Sequence, residues 1–124
     1  MEDRVHIIGY VPDELMAPYY RQAQLFALPS VFEPFGMTTT EAMACGTPVV
    51  ASKFGGIRNV IRNWENGVLV DPTNAEEFAG AMVTLCRDRE LARRIGMAGH
   101  RTVVEHLSWE AVARRHLEFY REYL

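Results

Sequence analysis

The sequence has few cysteines, no long hydrophobic run and no excess of positive charge. Its two cysteines, Cys45 and Cys86, are far apart and lack metal-ligand spacing, so we interpret them as small apolar residues in a reducing compartment. No apolar stretch approaches the roughly 18 residues of a membrane span, and the start of the chain does not look like a secretory signal. The net charge of −3 disfavours nucleic acid as a partner. These absences favour a cytoplasmic protein.

The sequence contains short apolar runs that alternate with helical patterns. Four runs are predicted as strands, at 5–11, 25–28, 48–51 and 68–70. Helices are predicted at 13–21, 37–44 and 57–63, and after the residues Asn74, Asp88 and Ser108. Continuously apolar strands between helices are typical of a parallel sheet that is covered on both faces. We therefore predict one α/β domain over residues 1–124, with a parallel sheet and C-terminal helices.

Side-chain patterns make more detailed predictions for the helices. Asp13 is expected to cap the first helix, and Asn74 to form a capping box with Glu77. The first helix is expected to turn one face inward, formed by Leu15, Met16 and Tyr19. The last helix carries an aromatic stripe of Trp109, Val112, His116, Phe119, Tyr120 and Tyr123. That stripe is either core or a surface patch, and a patch would promote self-association.

The segment 33–41 is the strongest candidate for a functional site. Gly36 lies where a loop enters a helix, so the amides of Met37 and Thr38 are first-turn donors without helical partners. They point outward at the positive end of the helix dipole, which is a suitable site for a diphosphate. We expect the hydroxyls of residues Thr38 to Thr40 to add further donors in the same turn.

Two glutamates flank this helix start. Glu33 lies in the loop before the helix, and Glu41 lies one turn into it. A carboxylate is unfavourable beside a phosphate, but it accepts hydrogen bonds from hydroxyl groups. A sugar on one side of a diphosphate and a ribose on the other would supply such hydroxyls. From spacing alone, a loop acid and a helix-capping acid explain the pair equally well.

The stretch E-P-F-G-M-T-T-T-E-A-M-A-C-G-T-P-V-V-A resembles the signature of the retaining glycosyltransferases with the GT-B fold, especially glycosyltransferase family 4. Further segments fall in the order and spacing of that family: Ile8–Val11, Tyr20 to Ala23, Leu28–Ser30, Gly55–Gly56 and Asn66–Val70. The resemblance covers nearly the whole chain, and the sucrose-phosphate synthases and related synthases are similar. It implies the Rossmann-like half of a GT-B glycosyltransferase, namely part of its C-terminal, donor-binding domain.

The resemblance also implies a role for each candidate site residue. Glu33 is expected to be the catalytic residue that accepts hydrogen bonds from the donor sugar. The donor-binding residues would be Phe35, Gly36 and Met37 through their amides, Thr38 beside them, Glu41 at the ribose, and Tyr10 and Val11 near the base. The reaction would move a hexose from a nucleoside diphosphate sugar to an acceptor sugar or sugar phosphate, with retention. No metal or other cofactor is implied, because amides and basic side chains would balance the leaving diphosphate.

The sequence departs from the family pattern in two places. The Arg and Lys that usually contact the diphosphate have no counterpart, and we expect the single lysine, Lys53, to lie on the surface. After Gly55-Gly56 the family often has x-Pro-Glu, whereas this chain has Ile57-Arg58-Asn59. Arg58 either contacts an acceptor phosphate or faces solvent.

The acceptor-binding N-terminal domain of the family is absent from these 124 residues. Such enzymes close two domains around the donor, which excludes water and assembles the site. We therefore expect a fragment that needs that N-terminal domain as its partner and is inactive alone. A non-catalytic module that binds nucleotide or phosphate remains the alternative function.

Overall fold

The computed structural model describes residues 2–124, which form a three-stranded parallel sheet with helices on both faces. The elements are α1 (Asp13–Gln22), β1 (Phe26–Leu28), α2 (Met37–Ala44), β2 (Val49–Ser52), β3 (Val68–Val70), α3 (Ala75–Arg87), α4 (Arg89–His106) and α5 (Trp109–Tyr123). Short 3-10 helices lie at Glu2–Arg4 and Gly56–Asn59. The strand order is β1-β2-β3, with β2 in the centre. The predicted α/β architecture with C-terminal helices is therefore confirmed.

The core lies on both faces of the sheet because β2 alternates its buried side chains between them. Val50 belongs to a cluster with the buried side chains of α3 and α4, including Leu85 and Ile95. Val49 belongs to the opposite cluster, with Met43 of α2. All four residues of β2 are buried, as expected for a central parallel strand.

Close packing of glycines fixes α2 against α4. A Cβ on Gly96 would lie 2.2 Å from the carbonyl oxygen of Gly46, which ends α2 in the left-handed conformation with φ of 77°. A Cβ on Gly99 would lie 2.9 Å from the carbonyl oxygen of Asn66. Because no larger residue fits at these positions, α4 packs closely against the end of α2 and against the turn before β3.

The predicted strand at 5–11 is wrong. This segment pairs with no strand within residues 2–124, and Val5, Ile7 and Ile8 are 64%, 95% and 56% exposed. An apolar run forms a stable strand only where a neighbour pairs its backbone and covers its side chains. Within the described residues β1 pairs with β2 alone, so the run has no such neighbour.

The predicted helix at 57–63 is also wrong beyond its first turn. Only Gly56–Asn59 is helical, as a 3-10 turn. The Asn66 side chain accepts a hydrogen bond from the amide of Arg62 at 2.7 Å and donates to the carbonyl of Val60 at 3.2 Å. It thus occupies backbone groups that a continuing helix would pair internally.

Two expectations for α1 need correction. Pro12 occupies the N-cap without a side-chain hydrogen bond, and Asp13 is the first helical residue, where its charge suits the helix dipole. Tyr20 is the buried residue of this helix. Of the three residues predicted to face inward, Met16 is half-buried and packs against the core, whereas Leu15 and Tyr19 are about half exposed. The ring of Tyr20 packs edge-on against Phe26 of β1, so this position faces the sheet.

The caps of the last three helices agree with the sequence patterns. Asn74 accepts from the Glu77 amide at 3.1 Å, and Asp88 and Ser108 accept from amides in their own helices. The reciprocal half of the Asn74 capping box is not formed, because the backbone amide of Asn74 donates to the backbone carbonyl of Asp71. No residue of α5 is buried, so its aromatic stripe is a surface patch. Within residues 2–124, no helix is long and apolar enough to cross a membrane.

Candidate functional site

The candidate site lies at the edge of the sheet where the parallel strands end. The carboxyl ends of β1, β2 and β3 are at Leu28, Ser52 and Val70. Because the strands are parallel, the loops that follow them gather at one edge, which is where ligands of such sheets bind. The loop after β1 runs through residues 29–36 and leads into α2, and the loop after β2 contains the glycine pair at 55–56.

Helix α2 begins with backbone donors that have no partner. Gly36 is its N-cap, with φ of 85° and ψ of 55°, and the first helical bond inside it runs from Thr40 N to Gly36 O at 3.0 Å. The amides of Met37, Thr38 and Thr39 have no acceptor among the residues that the structure describes. The first turn carries no acidic side chain. These amides and the helix dipole make an anion site.

The expected contribution of three threonine hydroxyls is wrong for two of them. Thr38 is exposed, but Thr39 is fully buried, and Thr40 is 8% exposed and donates to the carbonyl of Met37 at 2.8 Å. Successive residues of a helix point about 100° apart, so three in a row cannot share one face. The hydroxyl oxygen of Thr39 has no hydrogen-bond partner among the described residues.

Glu33 lies close to the start of α2. Its Oε1 accepts a hydrogen bond from the Gly36 amide at 3.2 Å, and its side chain is partly buried. The Gly36 amide, which the family resemblance assigns to a ligand, is thus held by Glu33. A ligand that reaches this amide has to replace the carboxylate.

The loop that carries Glu33 rests on the glycine pair after β2. The Gly56 amide donates to the carbonyls of Glu33 and Pro34, at 3.1 and 3.0 Å. A Cβ on Gly56 would lie 2.1 Å from the Pro34 oxygen, and one on Gly55 would lie 2.0 Å from the Glu33 oxygen. Gly55 also has φ of 98°, which side chains rarely adopt. The sequence pattern pointed to this pair as part of the family resemblance and did not predict its contact with the loop.

Glu41 receives a hydrogen bond from a residue that sequence reasoning did not assign to the site. The Tyr20 hydroxyl donates to Oε2 of Glu41 at 3.1 Å. Burial raises the pKa of Tyr20 to about 12, with further contributions from the hydrogen bond to Glu41 and from its negative charge. Glu41 itself is exposed, at the rim of a cleft of about 450 Å³ between α1 and α2. The cleft is lined by Asp13, Met16, Ala17, Tyr20, Glu41, Ala44 and Cys45.

The other predicted donor-binding residues lie on two sides of this region. Phe35 and Met37 are exposed and line an apolar hollow with Trp109 and Val112 of α5. Tyr10 is 85% exposed, in the segment that leads into α1. Val11 is half-buried in the same segment. The roles of these residues toward a base or a sugar remain predictions.

Two of the charged side chains near this edge form an ion pair. Lys53 forms an ion pair with Asp71 at 3.2 Å, on the surface as expected. Hydrogen bonds from the Thr73 hydroxyl and amide, followed by the contact with Lys53, lower the pKa of Asp71. Arg58 is exposed in the 3-10 helix that follows the glycine pair. In the described part of the chain, no three His, Cys, Asp or Glu residues form a group that could hold a metal ion.

Comparison with known proteins gives consistent matches. Residues 1–102 match the family described as Glycosyl transferases group 1. A D-inositol 3-phosphate glycosyltransferase from Thermomonospora curvata is 40% identical over 109 residues, which are 88% of this chain and 25% of that protein.

Two solved structures share the fold. A sucrose-phosphate synthase from Thermosynechococcus elongatus is 40% identical with a TM-score of 0.88, over 97% of this chain and 30% of that one. Anabaena HepE in complex with UDP-glucose is 28% identical with a TM-score of 0.86, over 98% and 33% of the two chains. The predicted Rossmann-like half of a GT-B fold is thereby confirmed. The chain spans about a quarter to a third of the length of these proteins.

Proposed function

The chain belongs to the group 1 glycosyl transferases, and we propose that its carboxyl-edge site binds the nucleoside diphosphate sugar that donates the glycosyl group. The observation that carries the proposal is the start of α2, where three unpaired amides lie between Glu33 and Glu41. The diphosphate binds these amides. The sugar extends toward Glu33, and the ribose extends toward Glu41.

The chemistry that suits this site is glycosyl transfer with retention at the anomeric carbon. The acceptor oxygen bonds to that carbon from the face that the nucleoside diphosphate leaves, and its proton passes to the departing diphosphate oxygen, which takes the electron pair of the broken bond. Amides of α2 stabilise the charge that develops on the leaving diphosphate, because they are already oriented and need no rearrangement. Glu33 orients the sugar by accepting hydrogen bonds from its hydroxyls.

The names of the relatives support a proposal for the substrates. HepE has been solved with UDP-glucose, and two of the other similar proteins are named for phosphorylated products or acceptors. A nucleoside diphosphate hexose as donor and a sugar or sugar phosphate as acceptor fit these names. We also propose that the 124 residues bind the donor without transferring its sugar, because one face of the donor remains open to water.

Binding measurements on the chain can test the donor site. Amide shifts in NMR titrations would give dissociation constants for UDP-, GDP- and ADP-glucose and for the corresponding nucleoside diphosphates. We expect at least one sugar nucleotide to bind more tightly than its nucleoside diphosphate, and Glu33→Gln to remove that difference. Glu76→Gln, an exposed change in the first turn of α3, is the matched control.

Three outcomes decide between the candidate functions. A sugar-dependent gain in affinity that Glu33→Gln abolishes supports the donor site. Equal affinity with and without the sugar supports the non-catalytic nucleotide-binding module instead. Absence of binding by all six compounds contradicts both functions. Sugar transfer to an added acceptor by the wild-type chain alone would contradict the proposed need for further residues.

A further inference from the structure

We infer that Tyr20 is a positioning residue for the donor, because its hydroxyl holds the Glu41 carboxylate in the orientation that receives the ribose hydroxyls. The inference rests on the proposed function, which places the ribose at Glu41. It adds a residue from a different helix, 21 positions earlier in the chain. Tyr20 itself does not need to touch the ligand.

Tyr20 is a rigid donor because its surroundings fix both the ring and the backbone. The residue is 6% exposed, and its ring meets that of Phe26 edge-on, with centroids 5.5 Å apart and planes at 81°. Its carbonyl oxygen accepts a buried hydrogen bond from the Thr47 hydroxyl at 2.6 Å. The hydroxyl group therefore ends at a defined point at the surface of the core.

Glu41 needs such a donor because, among the described residues, no other hydrogen bond or ion pair holds its carboxylate. The residue is exposed on α2, and a free glutamate side chain loses rotamer entropy when it is ordered. The Tyr20 hydroxyl contacts only Oε2, at 3.1 Å. A carboxylate has about four lone-pair positions, so Oε1 and one position on Oε2 remain for two ribose hydroxyls.

The protonation state of Tyr20 suits this role. The ordinary tyrosine pKa of 10.0 already keeps the hydroxyl protonated in the neutral range, and burial and then Glu41 raise the pKa of Tyr20 further, to about 12. It therefore donates to the carboxylate and adds no negative charge near the diphosphate. The two side chains line the same cleft between α1 and α2, which gives a ligand access to Glu41.

Removal of the hydroxyl alone tests the inference. Tyr20→Phe keeps the buried ring. A water molecule can replace the lost hydroxyl at the exposed Glu41 carboxylate, so the fold should persist. The neighbouring Tyr19→Phe, at a side chain that is 52% exposed, is the matched control. Dissociation constants would be measured by NMR for UDP, GDP and ADP and for their 2′,3′-dideoxy analogues.

We expect Tyr20→Phe to raise the dissociation constants of UDP, GDP and ADP about fivefold, which corresponds to the ~1 kcal/mol net value of a hydrogen bond. The dideoxy analogues should bind the wild type and Tyr20→Phe with equal affinity, and Tyr19→Phe should leave every dissociation constant unchanged. In a Glu41→Ala background, Tyr20→Phe should have no further effect. A purely structural role would weaken all ligands alike, with or without ribose hydroxyls.

The results separate this inference from the proposed function. Ribonucleotide binding that Tyr20→Phe leaves unchanged overturns the inference alone. An equal loss for ribonucleotides and dideoxynucleotides also overturns it, because the hydroxyl would then act through the fold. Failure of the three nucleoside diphosphates and of the three sugar nucleotides to bind the wild-type chain overturns the proposed function and the inference together.

Discussion

Replacement of Gly56 by alanine should displace the loop that carries Glu33. The added Cβ would lie 2.1 Å from the Pro34 oxygen, whereas real contacts of this kind are at least 3.0 Å long. The loop or the turn therefore has to move by about 1 Å. Gly56 does not have a positive φ, so the effect is steric and involves no backbone strain.

The size of the effect follows from this displacement. Overpacking of a close contact costs typically about 1–3 kcal/mol, which a domain of ordinary stability survives. The Gly56 amide would also lose its good geometry toward Glu33 and Pro34. Because a shift of about 1 Å is large for a preorganised site, we expect the dissociation constant of the preferred sugar nucleotide to rise at least tenfold. The affinity for the nucleoside diphosphate should fall less, since α4 holds α2 independently of the Glu33 loop.

Urea unfolding and NMR titration would measure the two effects on the same protein. Gly80→Ala is the control, because nothing lies within 4 Å of its added Cβ on α3. That control should gain about 0.5–1 kcal/mol in stability from helix propensity and keep its affinity. The reasoning is refuted if Gly56→Ala keeps both the stability and the sugar-nucleotide affinity of the wild type.

Three further predictions concern caps, pH and the surface. Asn74→Ala should lower the free energy of unfolding by about 1 kcal/mol, because the Glu77 amide loses its acceptor; urea denaturation that gives the wild-type value would contradict this role. The pKa of Tyr20 is raised from 10.0 to about 12, so its contribution to stability is complete below pH 10 and is lost between pH 10 and 12. Urea denaturation at pH 9 and pH 12 should show that Tyr20→Phe reduces this loss of unfolding free energy by up to about 2 kcal/mol; the same loss in wild type and variant would argue against the raised pKa. The exposed patch around Trp109 and Phe119 should cause self-association, so light scattering at high concentration should give more than the monomer mass, and a monomer throughout would refute the idea.

Local sequence signals predicted the elements whose ends are set by glycine. Helix α2 was predicted with both ends correct, because Gly36 enters it and Gly46 leaves it, each in the left-handed conformation. Strand β3 has its predicted bounds, 68–70, because a short apolar run begins directly after Gly67. In these places the local chain decides the conformation, so a sequence pattern is sufficient.

Most of the errors and omissions involve contacts between distant parts of the chain, and one involves an asparagine side chain that is only a few residues away. The run at 5–11 has the composition of a strand, but a strand also needs a partner, which no local pattern reveals. Asn66 ends the helical pattern at 57–63 through its side chain. The hydrogen bond between Tyr20 and Glu41 and the contact of Gly56 with the Glu33 loop both depend on how helices and loops pack on the sheet.

The proposed donor site depends on the unpaired amides at the start of α2, and residue-resolved NMR tests them most directly. On titration with UDP-, GDP- and ADP-glucose, the amides of Met37, Thr38 and Thr39 should show the largest shifts, since the structure leaves them without an acceptor. The Gly36 amide should also shift as Glu33 turns from it to the sugar. Binding with its largest shifts elsewhere, and unchanged signals at these four amides, would contradict the assignment of the donor site.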